Sequence, residues 1–259
     1  MFPLMNNKAE EKEKDEIENL NLSDNVEVNN YTATQKFFSE FIGSFFLLLV
    51  GSGIGVFTQG DIVPVVLANG FVITAMIYCF GRISGAHFNP SVSIPMFLRK
   101  KIRLDELIYY SAAQYSGGFL GSLFVALCNR GRFQWLSSTQ IGRFLKNENS
   151  ELDAWSYIGA FLSELLLTFG LVTVVFASTN KKNNFKNLTG LIIGVTLIML
   201  IFTGFHLSGA SMNPVRSLPP AIYEAIFGGN TTAIKQIWIY FIGPISGGIL
   251  ASLVPLHYV

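Results

Sequence analysis

The sequence is poor in charged residues, in histidine and in cysteine, and each shortage argues against a class of function. Charged residues make up 14% of the 259 positions, whereas a soluble domain averages about 25%. The net charge of +1 gives no reason to expect nucleic acid as a partner. The three histidines and two cysteines show no metal-ligand spacing, and there is neither a nucleophile–base pair nor a phosphate-binding loop. We therefore predict no enzyme activity, no metal site and no cofactor.

The charge that is present is concentrated at the N-terminus. Residues 1–30 contain eight acidic residues and three lysines, a net charge of −5, and no apolar run. Such a segment buries too little apolar surface to offset its chain entropy. Residues 1–34 are therefore predicted to be a disordered acidic tail. Since a basic start and an apolar stretch are both missing, the tail is not predicted to be a cleaved secretory signal.

Apolar sequence is abundant, and six stretches are long enough to cross a bilayer, which takes about 20 apolar residues in a helix. They are 37–58, 62–81, 106–128, 155–178, 188–207 and 236–257. Two shorter segments, 89–98 and 213–227, begin with Asn-Pro and are predicted to be re-entrant half-helices, or else ordinary loops. Cys79 and Cys128 lie within apolar stretches, which predicts two buried thiols without a disulfide.

Basic residues predict the orientation in the membrane, because cytosolic loops carry an excess of lysine and arginine. The loop after the second stretch and the loop after the fourth are both basic, with Arg99, Lys100, Lys101 and Arg103 in one and Lys181, Lys182 and Lys186 in the other. Six spans place both loops and both termini on one side, which is predicted to be the cytosol. Whether the membrane is the plasma membrane or an intracellular one is left open.

The chain contains the same pattern twice. Glu40 and Glu164 each follow a serine and precede an Asn-Pro pair by 49 residues, at Asn89 and Asn213, and Ser-Gly-Ala occurs before both pairs. Each copy holds three spans, so the second copy is inverted relative to the first. The predicted organisation is the tail at 1–34, a first repeat at 35–128, an extracellular connecting loop at 129–154 and a second repeat at 155–259.

Inversion makes the two Asn-Pro segments enter the bilayer from opposite faces and meet near its middle. Asparagine is a favoured N-cap and proline a favoured first helical residue, so two helix N-termini face each other there. Their positive dipole ends repel cations, while Asn89 and Asn213 can donate hydrogen bonds to a passing water or hydroxyl. This arrangement predicts a pore for small uncharged solutes.

These motifs resemble the aquaporin, or major intrinsic protein, family over about residues 35–257. The family signature is Asn-Pro-Ala twice, the second followed by arginine; here the triplets are 89–91 and 213–215, with Arg216 next. Ser91 and Val215 depart from alanine, and the second region is similar to nodulin-26-like members. The resemblance implies an all-α membrane fold of six transmembrane helices and two half-helices. It also implies pore asparagines at Asn89 and Asn213, and a homotetramer with one pore per subunit.

The resemblance further implies a four-residue outer constriction at Asn69, Ile201, Ala210 and Arg216. Strict water channels of the family have a bulky aromatic residue at the first position and histidine at the second. Here asparagine and isoleucine occupy them, which predicts a wider opening that passes glycerol or urea along with water. In glycerol-conducting members an aspartate follows the arginine, whereas this chain has Ser217.

The other polar residues of the spans are given supporting roles. Glu40 and Glu164 are predicted to accept hydrogen bonds from the loops beside each Asn-Pro rather than to relay protons. The backbone of these loops is expected to line the pore, at Gly85, Ala86, His87, Ser208 and Gly209.

The sequence therefore predicts a passive membrane channel for water and small uncharged solutes that excludes ions and protons. Its partners would be water, these solutes, the lipid bilayer and further copies of the chain. A strictly water-selective or gated water channel is the main alternative. A secondary transporter is disfavoured, because the spans offer no carboxylate besides Glu40 and Glu164 for a coupling ion.

Overall fold

A computed structural model describes residues 31–180 and 183–255 of the chain, which form helices joined by loops. The predicted acidic tail lies almost entirely outside these residues. The helices are α1 Ala33–Phe57, α2 Ile62–Ser84, α3 Pro90–Leu98, α4 Leu104–Cys128, α5 Ala154–Ser178, α6 Thr189–Gly204, α7 Pro214–Phe227, α8 Thr232–Lys235 and α9 Ile239–Leu253.

Local sequence explains where the helices begin. Proline is the first residue of both α3 and α7, where its missing N–H costs no hydrogen bond. Asp61 caps α2 by accepting from the backbone N–H of Val63. Asp153 caps α5 and accepts from the backbone N–H of Ser156 at 2.9 Å. This hydrogen bond lowers the pKa of the Asp153 carboxyl.

The helix contacts repeat in the two halves of the chain. In the first half, α1 packs against α2 and α4; in the second, α5 packs in the same way against α6 and α9. The half-helix α7 lies against α4, as α3 lies against α9, and α2 contacts α6 across the middle. Each of these contacts maps onto another, or onto itself, when the halves are exchanged. This is the arrangement that an inverted repeat requires.

Glycines permit the closest crossings between these helices. A Cβ atom on Gly117 of α4 would lie 2.1 Å from the Phe41 carbonyl oxygen of α1. At the equivalent crossing, a Cβ on Gly247 of α9 would lie 2.2 Å from the Leu165 carbonyl oxygen of α5. Only glycine leaves room for backbones at this distance, as is common in membrane helix pairs.

The observed helices agree with the six predicted spans, with shifts of a few residues at their ends. Within the described residues, four helical segments have the length and hydropathy of a membrane span, namely α1, α2, α5 and α6 with its preceding 3₁₀ turn. Of the other two, α4 has 25 residues and α9 is an apolar helix of 15. The last span begins at Ile239 rather than 236, and the side chain of Gln236 accepts a hydrogen bond from the Ile141 backbone.

The prediction that the two cysteines are buried is wrong. Cys79 in α2 and Cys128 at the end of α4 are both exposed on the surface of the single chain, and neither forms a disulfide. An apolar segment predicts burial only in a soluble protein. In a membrane helix the face that contacts lipid is apolar too, so hydropathy does not distinguish the inner face from the outer one.

Candidate functional site

The N-termini of α3 and α7 meet inside the helix bundle, and one asparagine caps each. The Asn89 side-chain oxygen accepts from the backbone N–H of Ser91 at 2.8 Å, and the Asn213 oxygen accepts from Val215 at 2.9 Å. Both asparagines are 5% exposed. Two positive helix ends therefore point at the same interior position.

Each asparagine also contacts the loop that leads into the opposite half-helix. The Asn89 Nδ2 donates to the Met212 carbonyl at 2.8 Å, and the Asn213 Nδ2 donates to the Phe88 carbonyl at 3.0 Å. An asparagine amide has two N–H groups, so this exchange fixes both side chains and leaves a second N–H on each. Both asparagines line the central cavity, where these groups can bind an acceptor.

The central cavity has a volume of about 1160 Å³. One end is lined by the basic residues Arg82, Arg99, Lys101 and Lys186, and the other by Arg216. The asparagine pair lies along it, together with apolar residues such as Val92, Leu171 and Ile193. The cavity thus has a mostly apolar wall with a few fixed polar groups, and arginine or lysine at both ends.

The loops before the half-helices have unusual backbone conformations. Positive φ angles occur at Gly85, Ala86 and Phe88 in the first loop and at Gly209, Ala210 and Met212 in the second. Left-handed conformations cost roughly 1–2 kcal/mol at non-glycine residues, so other contacts must hold these loops. Gly85, Ala86, His87 and Gly209 all line the cavity.

Glu40 holds the first loop. This fully buried carboxylate accepts hydrogen bonds from the backbone N–H groups of His87 at 3.0 Å and Phe88 at 2.7 Å. It also accepts from the Ser84 hydroxyl at 2.6 Å and from Gln114 at 2.7 Å. Four donors on one carboxylate offset much of the cost of burying its charge.

Glu164 makes the equivalent contacts in the second loop. It accepts from the backbone N–H groups of Ser211 at 2.9 Å and Met212 at 2.7 Å, and from the Ser208 hydroxyl at 2.6 Å. The third spans of the two repeats are offset by 130 residues, so the position equivalent to Gln114 is Pro244. No glutamine therefore takes part. Both glutamates therefore bond to the loops rather than extend into the cavity.

The structure adds a pair of tyrosines that the sequence analysis did not identify. The hydroxyl of Tyr110 donates to the Ser84 carbonyl at 2.6 Å, and that of Tyr240 donates to the Ser208 carbonyl at 2.7 Å. The same 130-residue offset relates the two tyrosines, so the repeat contained the signal. Ser208, predicted to line the pore, accepts from Tyr240 through its carbonyl and donates to Glu164 through its hydroxyl, and it is not among the residues that border the cavity.

The four predicted constriction residues all line the cavity. Asn69, Ile201 and Ala210 are each about 5% exposed or less. An Arg216 guanidinium nitrogen, Nη1, donates to the Ser137 carbonyl at 2.7 Å, which holds the charge to one side. Ser217 is buried and bonds to Thr139 and Ser211.

The side chain of Asn69 is held against its own helix and α1. Its Nδ2 donates to the Val65 carbonyl at 2.8 Å, and its Oδ1 packs against Gly51, where a Cβ would come within 2.4 Å. Of two nearby phenylalanines that could narrow the pore, Phe205 borders the cavity and Phe202 does not. Beside Asn69, the predicted constriction therefore offers the cavity Ile201 and Ala210 together with Arg216, and Phe205 also borders the cavity.

His87 lies in the wall of the cavity on the other side of the asparagine pair. Its Nδ1 is 3.1 Å from the Ser93 hydroxyl, and its ring packs edge-on against Tyr110. Among the described residues, no group of three or more His, Cys, Asp or Glu side chains lies close enough to hold a metal ion.

The sequence matches the family described as "Major intrinsic protein" over residues 27–255. It is 35% identical to "Glycerol uptake facilitator protein-like 6" of Lactiplantibacillus plantarum over 218 residues, covering 84% of this chain and 95% of that protein. It is 32% identical to "Aquaporin AqpM" of Methanothermobacter marburgensis, covering 85% and 95%. It is 30% identical to "Putative aquaporin NIP4-1" of Arabidopsis thaliana, covering 85% and 75%.

The helix arrangement also matches a solved structure. The aquaglyceroporin of Plasmodium falciparum superposes with a TM-score of 0.74, and the match covers 87% of this chain and 96% of that one at 23% identity. At this identity the likeness establishes the fold alone, which is the fold that the sequence motifs predicted.

Proposed function

We propose, since the chain belongs to the major intrinsic protein family, that it is a passive channel for water and for small uncharged solutes such as glycerol or urea. Members of this family are integral membrane channels rather than enzymes. Relatives named as a glycerol uptake facilitator-like protein and as aquaporins agree with both kinds of solute.

The asparagine pair is the observation that carries this proposal. Asn89 and Asn213 are fixed by reciprocal hydrogen bonds where two helix N-termini meet, and both border the cavity. A water or hydroxyl oxygen there accepts hydrogen bonds from both sides. A water that accepts both of these hydrogen bonds cannot accept another from the next water in the pore. The chain of hydrogen-bonded waters along which a proton would move is therefore interrupted.

Exclusion of cations follows from fixed positive charge. The two helix ends contribute partial positive charges at the middle of the cavity, and Arg216 contributes a full charge at the constriction. No carboxylate compensates within the lumen at the asparagine pair, because Glu40 and Glu164 are turned into the loops. A cation would lose its hydration without gaining a counter-ion.

The solute range is proposed from the constriction. Ile201 and Ala210 present apolar groups to the cavity that Arg216 also lines, and the Asn69 amide is already bonded to Val65. Arg216 can donate to the hydroxyls of a polyol while the apolar residues contact its carbon chain. Such a surface suits glycerol better than it suits water alone.

The test is osmotic shrinkage of proteoliposomes followed by stopped flow, once with an impermeant osmolyte and once with glycerol or urea. Fast shrinkage followed by re-swelling is the expected result. Fast shrinkage without re-swelling would indicate a strictly water-selective channel. If neither phase is faster than in empty liposomes, the channel is closed or gated under those conditions and the proposed conduction is contradicted.

We extend the proposal to organisation and topology. The functional unit is two inverted repeats, at 35–128 and 155–259, joined by an extracellular segment at 129–154. Both termini lie in the cytosol, and four copies assemble with one pore each. A tag at each terminus, probed by protease in intact and permeabilised cells, tests the topology: digestion in intact cells would contradict it.

A further inference from the structure

The chain contains a third fully buried carboxylate, Glu224, in the last turn of the half-helix α7. Unlike Glu40 and Glu164, it has no counterpart in the other repeat, because the position 124 residues earlier is Lys100. It does not line the cavity. A buried carboxylate needs a reason to be there, since an unpaired one is costly.

Glu224 binds a short stretch of the loop that joins the two repeats. Its Oε1 accepts from the backbone N–H of Leu136 at 2.6 Å and that of Ser138 at 3.3 Å. Its Oε2 accepts from the Ser138 hydroxyl at 2.6 Å and from the Asn230 side chain at 3.4 Å. The carboxylate therefore forms hydrogen bonds with the residues on both sides of Ser137.

Ser137 is the residue whose carbonyl accepts the hydrogen bond from Arg216. Its φ angle is +57°, a left-handed conformation that serine rarely adopts. Its hydroxyl packs against α1, where a Cβ on Gly55 would come within 2.3 Å. The direction of this carbonyl thus depends on contacts that hold the flanking residues, and the closest of those are with Glu224.

Glu224 and Arg216 both lie in α7. The backbone stretch that binds the Glu224 carboxylate, residues 136–138, therefore also contains the carbonyl that binds the Arg216 guanidinium.

We propose that Glu224 is a positioning residue for the constriction: by fixing residues 136–138 it aims the Ser137 carbonyl at Arg216 and holds the guanidinium against the wall of the cavity. This inference rests on the proposed conduction of water and small solutes. Without Glu224, the guanidinium is free to cross the lumen. Larger solutes are then hindered before water is.

The loop keeps other attachments when Glu224 is replaced, which makes the test feasible. The Thr139 hydroxyl donates to Ser217 at 2.6 Å, and the Gly142 N–H donates to the Leu207 carbonyl. Gln236 offers a matched control: it is 3% exposed and accepts a hydrogen bond from Ile141 of the same loop at 2.8 Å, whereas its side chain forms no hydrogen bond with residues 136–138.

The experiment is a double-mutant cycle in proteoliposomes, with the ratio of glycerol to water permeability as the readout. Glu224→Ala is expected to lower the ratio about threefold or more, in the range of coupled neighbouring residues. Glu224→Gln, which keeps one acceptor oxygen, is expected to lower it less. In an Arg216→Ala background, Glu224→Ala should leave the ratio unchanged, because the group on which it acts is gone. Gln236→Ala should leave it unchanged in either background.

An equal effect of Glu224→Ala with and without Arg216, or an equal effect of Gln236→Ala, would overturn the positioning role while leaving the proposed conduction intact. If the wild-type channel passes water but no glycerol, the proposed solute range fails and the same cycle is scored on water permeability. If it passes neither, the test is hydrogen exchange. The amides of Leu136 and Ser138 should lose protection in Glu224→Ala, and unchanged protection would show that Glu224 does not fix this part of the loop.

Discussion

Ile201 is the largest apolar side chain among the four residues proposed to form the constriction, and it borders the cavity, as Arg216 does. It lies near the end of α6, 5% exposed. A phenylalanine there extends further into the lumen without adding a charge. We expect Ile201→Phe to reduce glycerol permeability at least about tenfold, a barrier of roughly 1.4 kcal/mol, and to reduce water permeability much less. Stopped-flow measurements of both solutes on one preparation give the ratio.

Ile201→Val is the matched control for this substitution. It removes one methylene from the same wall, so glycerol permeability should stay the same or rise. If Ile201→Phe leaves the glycerol-to-water ratio as it is in the wild type, the narrowest point lies elsewhere, and Phe205 is then the next residue to replace.

The buried carboxylates matter for stability as much as for conduction. Glu40→Ala removes the acceptor of Ser84, His87, Phe88 and Gln114 at once. A buried donor left unsatisfied costs about 1–3 kcal/mol. We therefore expect a large fall in the melting temperature of the detergent-solubilised protein, and a smaller fall for Glu40→Gln, which keeps one acceptor oxygen.

Ser39→Ala tests whether that fall is specific to Glu40. Ser39 is the buried neighbour in the same helix, and its hydroxyl donates to the Gln35 carbonyl one turn earlier. Its loss should change the melting temperature by no more than a few degrees. Equal melting temperatures for Ser39→Ala and Glu40→Ala would mean that the loop is held mainly by its own backbone.

Individual functional residues could be predicted best where both repeats contain them at equivalent positions. Asn89 and Asn213 could be singled out because each lies 49 residues after a Ser-Glu pair. Tyr110 and Tyr240 are also related, by the offset of 130 residues. A tyrosine in an apolar helix does not by itself indicate a function, however, and only the structure shows the carbonyl to which each one donates. Glu224 belongs to one repeat only, so only the three-dimensional structure shows what it binds.

The helix crossings at glycine leave the least room for a larger side chain. Gly247→Ala would place a methyl group 2.2 Å from the Leu165 carbonyl of α5, and the neighbouring atoms are backbone that cannot rotate away. Overpacking of this kind costs about 1–3 kcal/mol. We expect α5 and α9 to separate and the melting temperature to fall by several degrees.

Gly170→Ala is the control for the helix effect of alanine itself. Gly170 lies in α5, and a Cβ there would make only an ordinary contact with Leu200 at 3.8 Å. Since alanine favours a helix over glycine, this substitution should leave the melting temperature unchanged or raise it slightly. Two equal falls would show that the crossing tolerates a methyl group.

Helix identity could be predicted from hydropathy, but helix ends and faces could not. The predicted sixth span included 236–238, and the structure starts α9 later, with Gln236 bonded to the connecting loop. Hydropathy also treats both sides of a membrane helix alike, which is why it predicts buried positions for Cys79 and Cys128, whereas both are exposed. The missing information is tertiary: which loop reaches which helix, and which face meets lipid.

At the scale of the whole molecule, the described part of the chain has an inverted distribution of polarity. Glu40, Glu164 and Glu224 are fully buried, whereas large apolar residues such as Phe71, Trp155 and Leu166 are more than half exposed. Lipid or other copies of the chain would cover such an apolar surface. We expect native mass spectrometry in detergent to give a mass of four chains.

Because the cavity, the asparagine pair and the constriction are all formed within one chain, each copy should conduct independently of its neighbours. Wild-type chains are co-expressed with an Ile201→Trp variant that has first been measured to conduct at background, and mixed assemblies are reconstituted at several ratios. Water permeability should fall in direct proportion to the blocked fraction. A steeper fall, with one blocked chain silencing its partners, would place the conducting path between subunits or couple the pores, whereas a linear decline agrees with four parallel pores.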